Sequence, residues 1–147
     1  MADRKPMFDG NEGEIILSSA AEALKKGHQS RKKELMASVT ENYIEAEFFG
    51  IKKFNQLMEQ YKDTCVGFRV YYGSQWEDHS KSKTQITAEG KGKKTSRLVI
   101  VPVDAYGRDL TSNNVMGLKD MAGGGAALAN GPMCPRHCAP PVNEDEN

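Results

Sequence analysis

Long apolar runs are missing from this sequence. The first aliphatic cluster is Ile15-Ile16-Leu17, whereas a signal-peptide core takes about 7–15 apolar residues and a membrane-spanning helix about 20. The expectation is a cytoplasmic protein without membrane contact, unless it leaves the cell by a leaderless route. Cysteine is scarce and odd in number. Three among 147 residues do not build the paired framework of a small secreted domain, so reduced thiols are expected. An excess of one charge is missing too: Lys+Arg and Asp+Glu are both 20. That excludes a chain basic throughout, as many nucleic-acid coats are, or acidic throughout, as solvating tails are. Large aliphatics are thin. Ile, Leu, Val and Phe number 27, about 18% of the chain, under the roughly 20% level that signals disorder when high net charge accompanies it. With no net charge, the expectation is a small folded core diluted by polar sequence.

What is present is concentrated. Between Ile44 and Leu110 lie 16 of those 27 residues and nine of the eleven aromatics, so the core belongs there. Ile44, Phe48, Ile51, Phe54, Met58 and Tyr61 recur at helical spacing, and Gly50 divides the run, which predicts a helix over 51–61. Upstream, 18–26 reads as a short helix ended by Gly27, and 29–40 as a second, with Leu35, Met36 and Val39 on one side. Over 64–72 the period changes to two in a β-branched and aromatic run. Val66, Phe68, Val70 and Tyr72 fall on one face of this strand, and Arg69 and Tyr71 on the other. Residues 98–103 form a second strand, apolar on both faces, in which Pro102 removes one ladder bond. Asp104 and Gly107 bracket a turn, after which 108–111 returns as a short strand. The polar stretch 73–96 is too long for an ordinary hairpin loop. It reads as an insertion, a mobile lobe or an extended hairpin tip, with 85–88 adding a little strand.

The fold class expected is α+β, with N-terminal helices packed on a small, mainly antiparallel sheet. A polar arm over 1–14 precedes a core domain over 15–118 that carries a Lys-rich insertion at 74–96. A Gly-rich linker and Cys-containing tail occupy 119–147.

Glu47-Phe48-Phe49-Gly50, a short helix, and Cys65-Val66-Gly67-Phe68-Arg69-Val70-Tyr71-Tyr72-Gly73 form a recognisable block. A Val-rich strand and a D-x-x-G-x-D turn at Asp104, Gly107 and Asp109 follow, and Cys134-Pro135-Arg136-His137-Cys138 closes the pattern. The sequence resembles a group of small uncharacterised bacterial proteins that share these motifs. The resemblance spans roughly 42–109 plus the tail motif and implies domain boundaries, with no activity attached.

Cys134, His137 and Cys138 are the sharpest chemical cluster. Structural zinc takes four converging ligands, and the tail offers three, so Cys65 would complete the set only if the tail folds back onto the first strand. The order C-x-x-H-C does not fit haem attachment, and the spacing C-x-x-x-C is not the C-x-x-C of redox sites. The bland alternative is two free thiols, or a local disulfide formed on oxidation. Lys81, Lys83, Lys91, Lys93, Lys94 and Arg97, with only Glu89 against them, make a basic loop of about +5. Such a loop meets phosphates in nucleic-acid binding, where Tyr71, Tyr72 or Trp76 would stack bases. The alternative is a solvated loop, and no RNA- or DNA-binding motif accompanies the charge. Gly90–Ser96 lacks phosphate-loop spacing and precedes a strand instead of a helix. Asp104 and Asp109 read as turn residues, not as an acid/base pair or a calcium loop. Arg69 reads as the partner of a carboxylate, Glu47 or Asp104, or as stacked on Tyr71.

No catalytic constellation is readable, and no enzyme is expected. The favoured expectation is a non-enzymatic interaction or self-assembly protein, a homo-oligomer or a binder of another protein, with Arg69, Tyr71, Tyr72 and Trp76 as contacts. Zinc- or redox-dependent regulation through the tail is one alternative, and a nucleic-acid accessory role is the other. Basic blocks at 25–33 and 81–97 and acidic ones at 41–47 and 144–146 cancel along the chain, which suits contact between copies.

Overall fold

The computed structural model describes residues 4–35, 46–80, 84–110 and 125–134. Its element order is α1 (Ser18–Leu35), β1 (Ala46–Glu47), α2 (Ile51–Gln60), β2 (Cys65–Asp78), β3 (Gln85–Ile86), β4 (Lys93–Asp104) and β5 (Met133–Cys134). The class is α+β, as the change of period along the chain implies. The dominant unit is one long antiparallel hairpin, β2 with β4, flanked by the short β3 in the order β3-β2-β4. Beside it β1 and β5 make a two-stranded ribbon. No described helix is long and apolar enough to cross a membrane.

The strands overrun their expected ends. Gly73 does not close the first strand: it stands opposite Arg97, and pairing continues through Ser74↔Ser96 and Gln75↔Thr95 to Glu77↔Lys93. Most of the Lys-rich stretch at 74–96 is therefore an extended hairpin tip, not an insertion. Once Phe68–Tyr72 is paired, each further residue adds ladder bonds at little extra loop-closure entropy. β3 folds against the tip, with Glu77↔Ile86 and Asp78↔Gln85. At the other end a bulge between Cys65 and Gly67 leaves Val66 without a cross-strand partner. The expected return strand at 108–111 is a single bridge, Val103↔Asp109.

Helix α2 packs on this hairpin through Phe54, Leu57, Met58 and Tyr61, at i, i+3, i+4 and i+7. Leu57 and Tyr61 are buried with Ile100 and Leu110, and Phe49, Phe54, Met58, Cys65, Ala126 and Leu128 pack around them. Full burial of a Leu-sized side chain contributes roughly 1.5–3 kcal/mol. The seam is rotated from the expected one, since Phe48 and Ile51 are exposed. Tyr61 ends the helix: its carbonyl accepts from Thr64 N at 2.9 Å and Cys65 N at 2.7 Å, turning the chain into β2.

Helix α1 is one helix, not two. It continues through Gly27, which costs only about 1 kcal/mol in a helix interior and does not by itself end one. Its described side chains are exposed except those of Ala21, Gln29 and Lys32, which are half-buried. Residues 36–40 of the expected second helix lie outside the described residues. Both expected tails touch the core. Met7 and Phe8 N–H groups donate to the Ala105 carbonyl. Tyr61 Oη accepts from Ala126 N, and Met133 is buried. The described part of the Gly-rich segment, 125–134, is thus part of the folded unit, because Leu128 and Met133 bring apolar surface the small core lacks.

Candidate interaction surface

The two long strands treat their outer edges differently. On β4, Ile100 and Leu128 exchange two N–H···O bonds of 2.9 Å, the Pro102 carbonyl accepts from Leu110 N at 2.9 Å, and Asp104 N donates to the Arg108 carbonyl at 3.0 Å. Leu98 N donates to Glu47 Oε1 at 3.3 Å. These positions alternate, so the backbone groups of 98, 100, 102 and 104 all face away from β2. Pro102 falls on that outward parity, and its missing N–H removes nothing from the β2 ladder. From Leu98 to Asp104 the β4 edge is covered.

Tyr72, Val70 and Phe68 stand directly opposite Leu98, Ile100 and Pro102. In an antiparallel ladder such non-hydrogen-bonded partners both face outward, so Phe68, Val70, Tyr72, Ser74 and Trp76 present their backbone groups on the far side of β2. The Trp76 carbonyl is taken by Thr87 N at 2.9 Å. Gly10 of the N-terminal arm comes close to the Val66 carbonyl, within 3.2 Å of where a Cβ would sit. Between these limits, among the described residues, no strand pairs with β2. The side chains over this stretch are apolar and exposed: Phe68 by 49%, Val70 by 48% and Tyr72 by 88%. Phe68 is steadied from within by an edge-to-face contact with Phe54, 5.1 Å between centroids.

The opposite face of β2 carries polar contacts. Arg69 pairs with neither expected carboxylate. Its Nη1 lies 2.7 Å from Asp109 Oδ1 and donates to the Gly107 carbonyl at 3.0 Å, while its guanidinium stands 5.9 Å from the Phe8 ring. The hydrogen bond that Arg69 donates to Asp109 raises the Arg69 pKa further. Tyr71 donates to Asp109 Oδ2 at 2.5 Å, and that bond pushes its phenol above the ordinary value, with the Arg69 hydrogen bond opposing. Gly107 allows this turn: its φ is +79°, and a Cβ there would lie 3.0 Å from Met7 Sδ. Asp104 instead holds Arg108, accepting from its Nε at 2.8 Å and its backbone N at 2.9 Å. Burial alone would raise the Asp104 carboxyl, but the Arg108 and Tyr106 hydrogen bonds outweigh it and hold it below the usual range. Asp104 and Asp109 are therefore structural partners of two arginines.

Farther along this face, Arg97 is the clearest departure from expectation. It belongs to no solvated basic loop: only 8% of its side chain is exposed, and it lies between two carboxylates that are fully buried. Its Nε is 3.3 Å from Glu77 Oε2 and 3.5 Å from Glu47 Oε1. Glu47 also accepts from Gly131 N at 3.1 Å, and Gln75 Nε2 joins Glu77 at 2.8 Å to Asn130 at 2.7 Å. His79 reaches Thr95 Oγ1 at 3.0 Å. Sequence reasoning missed Glu77 and Thr95 here. The signal for Glu77 was the period-two run Arg69, Tyr71, Gly73, Gln75, Glu77, hidden by ending the strand at Tyr72.

The remaining expected sites scatter. Trp76 is half-buried on the tip, and Lys91, Lys93 and Lys94 are exposed; Lys81 and Lys83 lie outside the described residues. Cys65 donates its thiol to the Gly67 carbonyl at 2.9 Å across the bulge. Cys134 belongs to β5, while His137 and Cys138 lie outside the described residues, so the expected tail cluster is not seen as a unit. Among the described residues no group of three or more potential ligands converges. No protein-family model, curated protein or solved structure matches the chain.

Proposed function

We propose that this chain is a non-enzymatic protein that works by associating with copies of itself through its sheet. One observation carries the reading: from Leu98 to Asp104 the β4 edge is covered by backbone contacts at Ile100, Pro102 and Asp104 and by the Glu47 side chain at Leu98, whereas among the described residues no strand covers the β2 edge from Phe68 to Ser74, which lies under a row of exposed apolar side chains. Natural edge strands are blunted by shortness, proline, lysine or a cover. β2 runs for 14 residues, and its stretch from Phe68 to Ser74 contains neither proline nor lysine. A surface of this kind favours protein contact over chemistry. The basic-loop reading is weakened because Arg97 is withdrawn into an ion cluster. We place the association in the cytoplasm, where the Cys65 thiol stays reduced.

Light scattering on the full chain over a range of concentrations tests this function. A mass that rises with concentration to a defined oligomer supports it, and a monodisperse monomer throughout overturns it.

A further inference from the structure

We infer that the contact is a two-fold antiparallel pairing of β2 with β2 of a second copy, centred on Tyr71. This rests on the self-association proposed above and specifies its register.

The usable edge is bounded on both sides. Toward Val66 the N-terminal arm approaches at Gly10, and at Trp76 the outward carbonyl is taken by Thr87. Among the described residues, the outward backbone groups left between them belong to Phe68, Val70, Tyr72 and Ser74, and these are symmetric about Tyr71. An axis there sets Val70 against Tyr72 of the second copy and Phe68 against Ser74, so all four positions make hydrogen-bonded pairs. An axis at Val70 would pair Ser74 with Val66 beside the arm, and one at Tyr72 would pair Phe68 with the occupied Trp76. Each loses contacts that the Tyr71 axis keeps.

Side chains and charge agree with this register. Phe68, Val70 and Tyr72 of both copies fall on one face and form a continuous apolar strip of six residues. Tyr71 meets its own counterpart in a close non-hydrogen-bonded pair. Arg69 is the single charged residue from Gly67 to Gln75. Its charge is already paired with Asp109, and across the axis it faces Gly73, so the two guanidinium groups do not meet. The chain as a whole carries no net charge to repel a copy. These properties select a second copy over a charged peptide as the occupant.

Sedimentation velocity and amide hydrogen exchange on the full chain test the register. Rising concentration is expected to slow exchange at Phe68, Val70, Tyr72 and Ser74. Arg69, Tyr71 and Gly73, bonded within the hairpin, are protected at every concentration. Val70→Pro removes an outward N–H without touching the β2–β4 ladder, and Tyr72→Lys installs an edge charge. Each is expected to weaken association at least about tenfold, with the far-ultraviolet circular dichroism unchanged. Ser96→Lys, at an exposed position of β4, is expected to leave it as it was. If the wild-type chain associates but both β2 variants associate equally well and the four amides exchange freely, the register is wrong while self-association stands. A wild-type monomer at every concentration overturns both.

Discussion

Arg97 Nε lies 3.3 Å from Glu77 Oε2 in a place where the Glu77 side chain has no exposed surface. Glu47, from the other sheet, stands on the guanidinium's second side at 3.5 Å. These distances are in ion-pair range without hydrogen-bond alignment, and Arg97 Nε, Arg97 Nη1 and Glu77 Oε1 lack a hydrogen-bond partner. The cluster joins β1, β2 and β4, and through Gly131 it reaches the segment leading into β5. Such a group contributes little net stability when intact, since desolvation offsets attraction, but breaking it leaves uncompensated buried charge.

Arg97→Met is accordingly expected to destabilise the chain by about 3–5 kcal/mol. Adding Glu47→Gln and Glu77→Gln is expected to recover a large part of that loss, because no buried charge then remains unpaired. Urea unfolding of the single and triple variants reads the difference. An equal loss in both would show that packing of the arginine stem, not charge, dominates.

Asp104 gives a pH signature. Its carboxyl is held below the ordinary value of 3.8 in the folded protein by the Arg108 and Tyr106 hydrogen bonds, against burial. Its contribution is therefore fully present above that value and lost as pH falls through the lower folded one. Asp104→Asn is expected to cost about 1–3 kcal/mol at neutral pH. The gap from wild type should narrow below about pH 4 in unfolding curves taken across the acid range.

Tyr71 titrates in the opposite sense. Donation to Asp109 favours the protonated phenol, so ionisation is expected above the ordinary value of 10.0. The stabilisation this bond brings is present below that value and lost as pH rises through the folded one. Asp109→Asn is expected to bring the phenol down toward the ordinary value. Difference ultraviolet titration against Tyr71→Phe isolates the signal.

Gly131 sits where the returning segment crosses the chain before α2. A Cβ there would run into the Phe48 carbonyl, and Phe48 N donates to the Pro132 carbonyl at 2.7 Å. Gly131→Ala is expected to cost about 1–3 kcal/mol by overpacking and to expose 125–134 to protease before the hairpin opens. Limited proteolysis followed by mass spectrometry locates the first cut.

Much of the fold was readable because local patterns and tertiary demands agree. The alternation from Val66 to Tyr72 specified a strand with Arg69 and Tyr71 opposite the apolar row, and α2 followed from its 3.6 period. Strand length was hidden. Gly73, Ser74 and Gln75 have weak strand preferences and pair because β4 lies opposite them. The ion cluster was hidden for the same reason: Glu47, Glu77 and Arg97 are ordinary surface residues in sequence. Their burial follows from the approach of the β1–β5 ribbon, which no local pattern reports.

The sequence by itself determined that the chain has no long apolar run, balances its charges and places most of its core between Ile44 and Leu110. Those properties depend on composition and short-range periodicity. Tertiary structure alone decided which strand edge is sealed, which carboxylate takes which arginine, and that the segment bearing Leu128 and Met133 returns to the core. Each of these is a pairing between distant positions. Backbone polar groups look alike along the chain until a neighbour arrives to satisfy them, so the covered edge of β4 and the stretch of β2 that no strand among the described residues pairs with are distinguished only in the folded chain.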